Sequence, residues 1–117
     1  MLFRSGRNYF AQDFERAVAS VPNLLPGAVV AFGIEGGAAT RIVIMAETRV
    51  RDEAAKADLQ RRIRQVCQEA FDVGPDDVRL LAPGAIPRTT SGKVRRQACR
   101  QAYEANVALP GTGGGEN

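Results

Sequence analysis

The first stretch of regular hydrophobic spacing lies near Ala11–Ser20. Its apolar residues recur as they would on one face of a helix, at Phe14, Ala17, Val18 and Val21. Pro22 follows directly, and a proline ends a helix because it lacks a backbone N–H. The pattern therefore predicts one short amphipathic helix near the start of the chain.

Two apolar, β-branched segments come next, Ala28–Ile34 and Arg41–Ala46. Because the sequence between them is Glu35-Gly36-Gly37-Ala38, they are predicted to form a β-hairpin. From Asp52 to Phe71 the apolar residues return to helical spacing, at Leu59, Ile63, Val66 and Ala70. This spacing predicts a long amphipathic helix that packs on the hairpin.

The last third of the chain predicts one more strand and one more helix. Gly74-Pro75 ends the long helix, and Asp77–Leu81 has the composition of a short strand. A final helix follows residue 93 and frays near Asn106. Its buried side is predicted to consist of Val94, Ala98 and Ala102.

These elements predict a small single α+β domain, with a central short β-sheet or hairpin packed by about three helices. The domain is expected to span residues 1–107, followed by a flexible, glycine-rich tail at 108–117. A length of 117 residues suits one domain, and an apolar content of 44% argues against disorder.

Composition excludes several kinds of site. The chain has no histidine, which rules out a Ser-His or Cys-His nucleophile and a histidine-containing metal site, and no metal site is predicted. Cys67 and Cys99 are expected to be reduced thiols, since they do not form a Cys-x-x-Cys pair. The sequence shows neither a signal peptide nor an apolar run of membrane-spanning length, so a cytoplasmic location is predicted.

The segment with the clearest chemistry is a polar loop that precedes the final helix. It consists of Pro87, Arg88, Thr89, Thr90, Ser91, Gly92 and Lys93. The hydroxyl residues could cap a helix, and Gly92 permits backbone conformations closed to other residues. The loop is therefore predicted to deliver Lys93 to a helix start, where backbone N–H groups favour an anion. The alternative is an ordinary solvated turn.

This loop resembles the last core motif of the adenylate-forming enzymes, Pro-x-x-x-x-Gly-Lys-x-x-Arg. Pro87, Gly92, Lys93 and Arg96 fill the motif. In that family the lysine belongs to a small C-terminal domain that swings over the active site of a much larger N-terminal domain. There it contacts the substrate carboxylate and the α-phosphate, so the resemblance implies a catalytic role for Lys93.

A second resemblance lies in residues 5–15, Ser-Gly-Arg-Asn-Tyr-Phe-Ala-Gln-Asp-Phe-Glu. The segment is similar to the one that follows the interdomain hinge, in the form found in fatty acyl-AMP ligases. Ser5, Ala11 and Phe14 depart from the residues usual there. The resemblance implies a face used in acyl transfer, formed by Gly6, Arg7, Asn8, Tyr9 and Phe10.

The resemblance also implies substrates and partners. ATP and Mg²⁺ would be bound mainly by an N-terminal adenylation domain absent from this chain, so the chain alone is expected to be inactive. The acyl group of a fatty acid would pass to the phosphopantetheine arm of an acyl carrier protein. Such proteins are acidic, so three basic residues are candidates for docking: Arg95, Arg96 and Arg100.

Three other interpretations remain open. An acyl-CoA synthetase would use Lys93 in the same way but would transfer the acyl group to free coenzyme A. A nucleic-acid-binding module is disfavoured, because the basic stretch lacks interleaved aromatic residues and the net charge is only +3. A non-catalytic interaction fragment is disfavoured by the intact Lys93. The basic helix face could also be merely solvated.

Overall fold

The computed structural model describes residues 2–4, 7–35 and 40–105. In this part of the chain the elements are β1 (Leu2–Arg4), β2 (Arg7–Tyr9), α1 (Ala11–Val18), β3 (Leu24–Ile34), β4 (Arg41–Thr48), α2 (Glu53–Phe71), β5 (Asp77–Leu81) and α3 (Arg96–Glu104). The predicted α+β fold, a small sheet packed by helices, is confirmed. The predicted tail at 108–117 and the fraying near Asn106 lie outside the described residues.

The main sheet has the strand order β3-β4-β5. Strands β3 and β4 are antiparallel, which confirms the predicted pairing, although connecting residues 36–39 lie outside the described residues. Strand β5 is parallel to β4, with Ile44 opposite Val78, so β4, α2 and β5 form a β-α-β unit. Both hairpin strands are longer than predicted, since β3 begins at Leu24 and β4 ends at Thr48.

Helices cover both faces of this sheet. Ile42, Ile44 and Ala46 of β4 pack in the core that also contains the inward residues of α1 and α2. Val43 and Met45 alternate with them and point to the opposite face, toward α3. Because both faces are covered, β4 is buried from residue 42 to 48 and forms the rigid centre of the domain.

Helix α2 begins at a residue whose side chain suits a helix N-terminus. Asp52 is the N-cap, and its carboxylate accepts a 2.9 Å hydrogen bond from the Ala55 N–H. Its fully inward residues are Leu59, Ile63 and Cys67. The prediction that Ala70 belongs to the buried side of this helix was wrong. Ala70 is exposed, and Cys67, four residues after Ile63, is buried.

Both cysteines are free and buried. Burial raises the pKa of the Cys67 thiol to about 11, and the pKa of Cys99 is raised in the same direction by burial. A thiol with a raised pKa stays protonated at neutral pH and is a poor nucleophile. The two residues therefore act as small apolar groups in the core, one on each face of the sheet.

The N-terminal motif contains a short strand. Arg7–Tyr9 forms β2, which pairs antiparallel with β1. Residues 5 and 6, including Gly6 of the predicted transfer face, lie outside the described residues. In the described residues, no helix is long and apolar enough to cross a membrane.

Candidate functional site

Residues 87–95, here called the lysine loop, form a tight hairpin. Arg88 and Val94 make an antiparallel bridge, and the Thr89 N–H donates to the Lys93 carbonyl at 2.7 Å. At the tip, the Gly92 N–H donates to the Thr89 carbonyl at 2.9 Å, with Gly92 at a φ of +88°. A residue with a side chain would be strained at this φ, so the glycine of the motif is required by the turn.

Lys93 has a fixed backbone and a free side chain. Its carbonyl is held by Thr89, and its N–H donates to the Thr89 hydroxyl at 3.1 Å. The Thr89 hydroxyl is in turn 3.0 Å from that of Ser91. Lys93 itself is exposed, and its ammonium has no hydrogen-bond or ion-pair partner within the described ranges. The loop therefore presents a positioned but unpaired cation.

The prediction that Lys93 lies at a helix start was wrong. Helix α3 begins at Arg96, its N-cap is Arg95, and no side chain caps it. The Thr89 hydroxyl does not reach α3 because it bonds within the hairpin instead. The cationic character of the loop tip thus comes from Lys93 itself, without the backbone N–H groups of a helix terminus.

The stem of the lysine loop is anchored by a buried carboxylate. Glu47 of β4 is only 2% exposed and accepts a 2.9 Å hydrogen bond from the Ile86 N–H. Its other oxygen lies 3.6 Å from the Arg88 guanidinium, which also donates to the Gly27 carbonyl at 3.0 Å. The role of Glu47 was not predicted from the sequence. The signal was an acidic residue directly after the apolar run of β4.

Arg96 links the two sequence motifs. Its guanidinium donates to both carboxylate oxygens of Glu15 at 2.9 Å and to the Ala31 carbonyl at 3.1 Å. Glu15 also accepts a 2.8 Å hydrogen bond from the Ala31 N–H. Since Glu15 lies on α1 and Ala31 on the edge strand β3, this one arginine fixes the start of α3 against both elements.

The predicted basic face is smaller than expected. Arg95 is exposed, but Arg96 and Arg100 are half-buried. Arg100 donates to Gln97 at 3.3 Å, and its Nε atom is buried with no hydrogen-bond partner among the described residues. Of the three arginines proposed for docking, only Arg95 is therefore fully exposed, because Arg96 is bound by Glu15 and α3 packs inward through Cys99.

The described part of the predicted transfer face divides into an exposed and a packed half. Arg7 and Asn8 are exposed on β2. The Tyr9 hydroxyl donates to the Phe71 carbonyl at 3.2 Å, and its ring centroid lies 5.6 Å from that of Phe14, so Tyr9 closes the edge of the core. Phe10 is 55% exposed and is available for contact with another surface.

Phe10 borders a groove of about 470 Å³ between the start of α1 and helix α3. Arg96 and Arg100 line the same groove, so residues of both sequence motifs meet there. In the described part of the chain, no cluster of three or more acidic, cysteine or histidine side chains could hold a metal ion.

The chain is similar to fatty-acid-activating enzymes of mycobacteria. It is 30% identical over 112 residues to a protein of Mycobacterium tuberculosis named "Probable long-chain-fatty-acid–AMP ligase FadD30". The matched region covers 91% of this chain and 19% of that protein. It is also 30% identical over 107 residues to the long-chain-fatty-acid–AMP ligase FadD26 of Mycobacterium marinum, over 86% of this chain and 18% of the relative. The chain thus spans under a fifth of the length of either relative.

Solved structures of fatty-acid-activating enzymes also resemble this chain. The structure of a fatty acid AMP ligase from Legionella pneumophila matches it with a TM-score of 0.71 and 28% identity, over 86% of this chain and 18% of the ligase chain. A fatty acyl CoA synthetase of Mycobacterium tuberculosis matches 92% of this chain and 20% of its own with a TM-score of 0.71, but at 22% identity it shows the fold alone. No protein-family model matches the chain. The chain belongs to the adenylate-forming enzymes, as a C-terminal domain of the fatty acyl-AMP ligase type.

Proposed function

We propose that this domain closes on the N-terminal domain of a full-length fatty acyl-AMP ligase and delivers Lys93 for acyl-adenylate formation. The observation that supports the proposal most directly is the unpaired Lys93 ammonium on a hairpin whose backbone is fixed by Thr89. A cation held in this way needs little reorganisation when it meets an anionic substrate.

The reaction brings two anions together. The fatty-acid carboxylate attacks the α-phosphorus of ATP, an oxygen–phosphorus bond forms, and pyrophosphate leaves with the electron pair of the broken bond. The Lys93 ammonium, placed between carboxylate and α-phosphate, reduces their repulsion and stabilises the charge that develops in the transition state. In this role Lys93 transfers no proton.

ATP, Mg²⁺ and the fatty acid would be held mainly by the N-terminal domain. The described residues of this chain offer no metal-ligating cluster of their own, and their contribution would be Lys93 together with the loop that positions it. The isolated chain is accordingly proposed to be inactive. We propose a cytoplasmic location for the reaction.

After adenylation the domain is proposed to rotate and to use a different face for acyl transfer. The candidate face comprises the exposed Arg7 and Asn8, together with Phe10 and its groove. The acceptor would be the phosphopantetheine thiol of an acyl carrier protein, whose sulfur attacks the acyl carbonyl while AMP leaves. The second candidate is an acyl-CoA synthetase, supported by the shared fold with such an enzyme.

A product assay with the full-length enzyme separates the two candidates. The enzyme would be supplied with a fatty acid, ATP and Mg²⁺, and with either coenzyme A or phosphopantetheinylated carrier protein. We expect acyl-adenylate to accumulate without an acceptor and acyl-carrier protein to form when that acceptor is added. Rapid formation of acyl-coenzyme A would show the synthetase instead, and absence of any acyl-adenylate would reject adenylation.

Of the three arginines proposed for docking, Arg95 is predicted to have the clearest effect on the acceptor step. Arg95→Glu should raise the KM for carrier protein roughly three- to tenfold at low salt, because an exposed charge steers an acidic partner. The increase should shrink as salt screens the charge. Arg100 should affect this KM less, because it is half-buried and donates to Gln97. Substitutions of Arg96 should mainly lower the stability of the domain, because Arg96 binds Glu15.

Arg62→Glu is the matched control, since Arg62 is also exposed but lies on the outer face of α2. It reverses the same charge without touching the lysine loop. Equal carrier-protein kinetics for the Arg95 and Arg62 variants would reject docking at Arg95.

A further inference from the structure

A second concave site lies at the carboxyl ends of β4 and β5. This site, here called the carboxyl-edge pocket, has a volume of about 380 Å³. Its lining includes three basic residues, Arg49, Arg51 and Lys56, and three apolar ones, Val50, Leu81 and Pro83. None of these residues belongs to the lysine loop or to the predicted transfer face.

The pocket concentrates unpaired positive charge. Arg49, Arg51 and Lys56 line it together, and none of their three side chains has a hydrogen-bond or ion-pair partner among the described residues. No carboxylate is among the lining residues. By contrast, Arg88 is paired with Glu47 and Arg96 with Glu15. Three like charges around one cavity repel one another unless an anion lies between them.

The pocket lies where two parallel strands end. Strands β4 and β5 finish together at the pair Glu47 and Leu81. The segments that follow the two strands both contribute lining residues, Arg49 and Arg51 after β4 and Pro83 after β5. The Thr48 hydroxyl is already engaged, because it donates to the Asn23 carbonyl and accepts from the Val50 N–H. The groups left to bind a ligand here are therefore the three cations.

We propose that the carboxyl-edge pocket binds a phosphate group, either of free pyrophosphate or of a phosphate ester. A guanidinium presents paired N–H donors that match phosphate oxygens, and the doubly charged group balances more of the three cations than one carboxylate would. Val50, Leu81 and Pro83 provide an apolar wall for the remainder of an ester. This site is independent of the adenylation role proposed for Lys93.

Titration of the 117-residue chain with pyrophosphate, followed by ¹H–¹⁵N NMR, tests the proposal. Saturable shifts are expected for the amides of residues 48–56 and of Leu81 and Ala82. Combined replacement Arg49→Gln, Arg51→Gln and Lys56→Gln should weaken binding at least tenfold (about 1.4 kcal/mol) at low salt. Arg61→Gln, Arg62→Gln and Arg64→Gln on exposed positions of α2 remove the same charge and should change the Kd by less than about twofold.

A second titration with 4′-phosphopantetheine distinguishes the two sources of phosphate. Tighter binding of the ester than of pyrophosphate would indicate that the apolar wall contacts the pantetheine chain. Tighter binding of pyrophosphate would indicate that the pocket binds a small inorganic anion. Absence of saturable shifts with both probes would overturn the proposal. Equal weakening in the two triple variants, or equally tight binding of sulfate, would also overturn it, because either result indicates unspecific attraction of anions.

Discussion

Replacing Lys93 with alanine in the full-length enzyme is expected to slow acyl-adenylate formation by about 100- to 1000-fold, the usual effect of removing one preorganised charge-stabilising donor. Transfer from pre-made acyl-adenylate to the acceptor should stay within about threefold of wild type, because that step no longer joins a carboxylate to an α-phosphate. Single-turnover measurements of each half-reaction would give the two rates separately.

Stability should change little in this variant, since the Lys93 side chain is exposed and only its backbone is bonded in the hairpin. Arg62→Ala, which removes an exposed cation from α2, serves as the control and should leave both half-reactions at wild-type rates. If Lys93→Ala slowed both half-reactions equally, the lysine would serve both states of the enzyme or would act through structure, and the specific role in adenylation would be rejected.

Periodicity predicted the parts of the fold that depend on local spacing. The span of β5 and the start of α1 were correct, and β5 follows Gly74-Pro75, a pair that ends regular structure. The parallel pairing of β5 with β4 could not be read from spacing, since it depends on the path of α2 across the sheet. Ala70 was misplaced because Cys67 fits the helical stripe equally well.

The candidate site was predicted only in part for a related reason. The motif located Lys93 and the glycine at the turn, which are set by residues close in sequence. Hydroxyl residues before a helix favour capping in general, yet Thr89 closes a hairpin here because Arg88 and Val94 pair. The contacts of Arg96 with Glu15 and of Glu47 with Ile86 join residues far apart in the chain, and local pattern carries no information about them.

Glu47 gives the second large predicted effect, because one buried carboxylate holds the stem of the lysine loop. Glu47→Ala should lower the free energy of unfolding by about 2–4 kcal/mol, since it leaves the Ile86 N–H unpaired and opens a cavity in the sheet. Glu47→Gln retains a neutral acceptor of similar volume and should cost less than half as much. Urea unfolding of the three proteins would measure both differences.

The Arg88 contact can be separated from the Ile86 hydrogen bond by a double-mutant cycle with Arg88→Ala. The Glu47–Arg88 coupling should be only about 1 kcal/mol, because the two groups are 3.6 Å apart and the Arg88 side chain is 31% exposed. Most of the loss in Glu47→Ala is then assigned to the Ile86 N–H and the cavity. Glu69→Ala, which removes an exposed carboxylate from α2, should change stability by less than about 0.5 kcal/mol. If Glu47→Ala were no more destabilising than Glu69→Ala, the lysine loop would not depend on this carboxylate, and its anchorage would have to come from Arg88 and Gly27 alone.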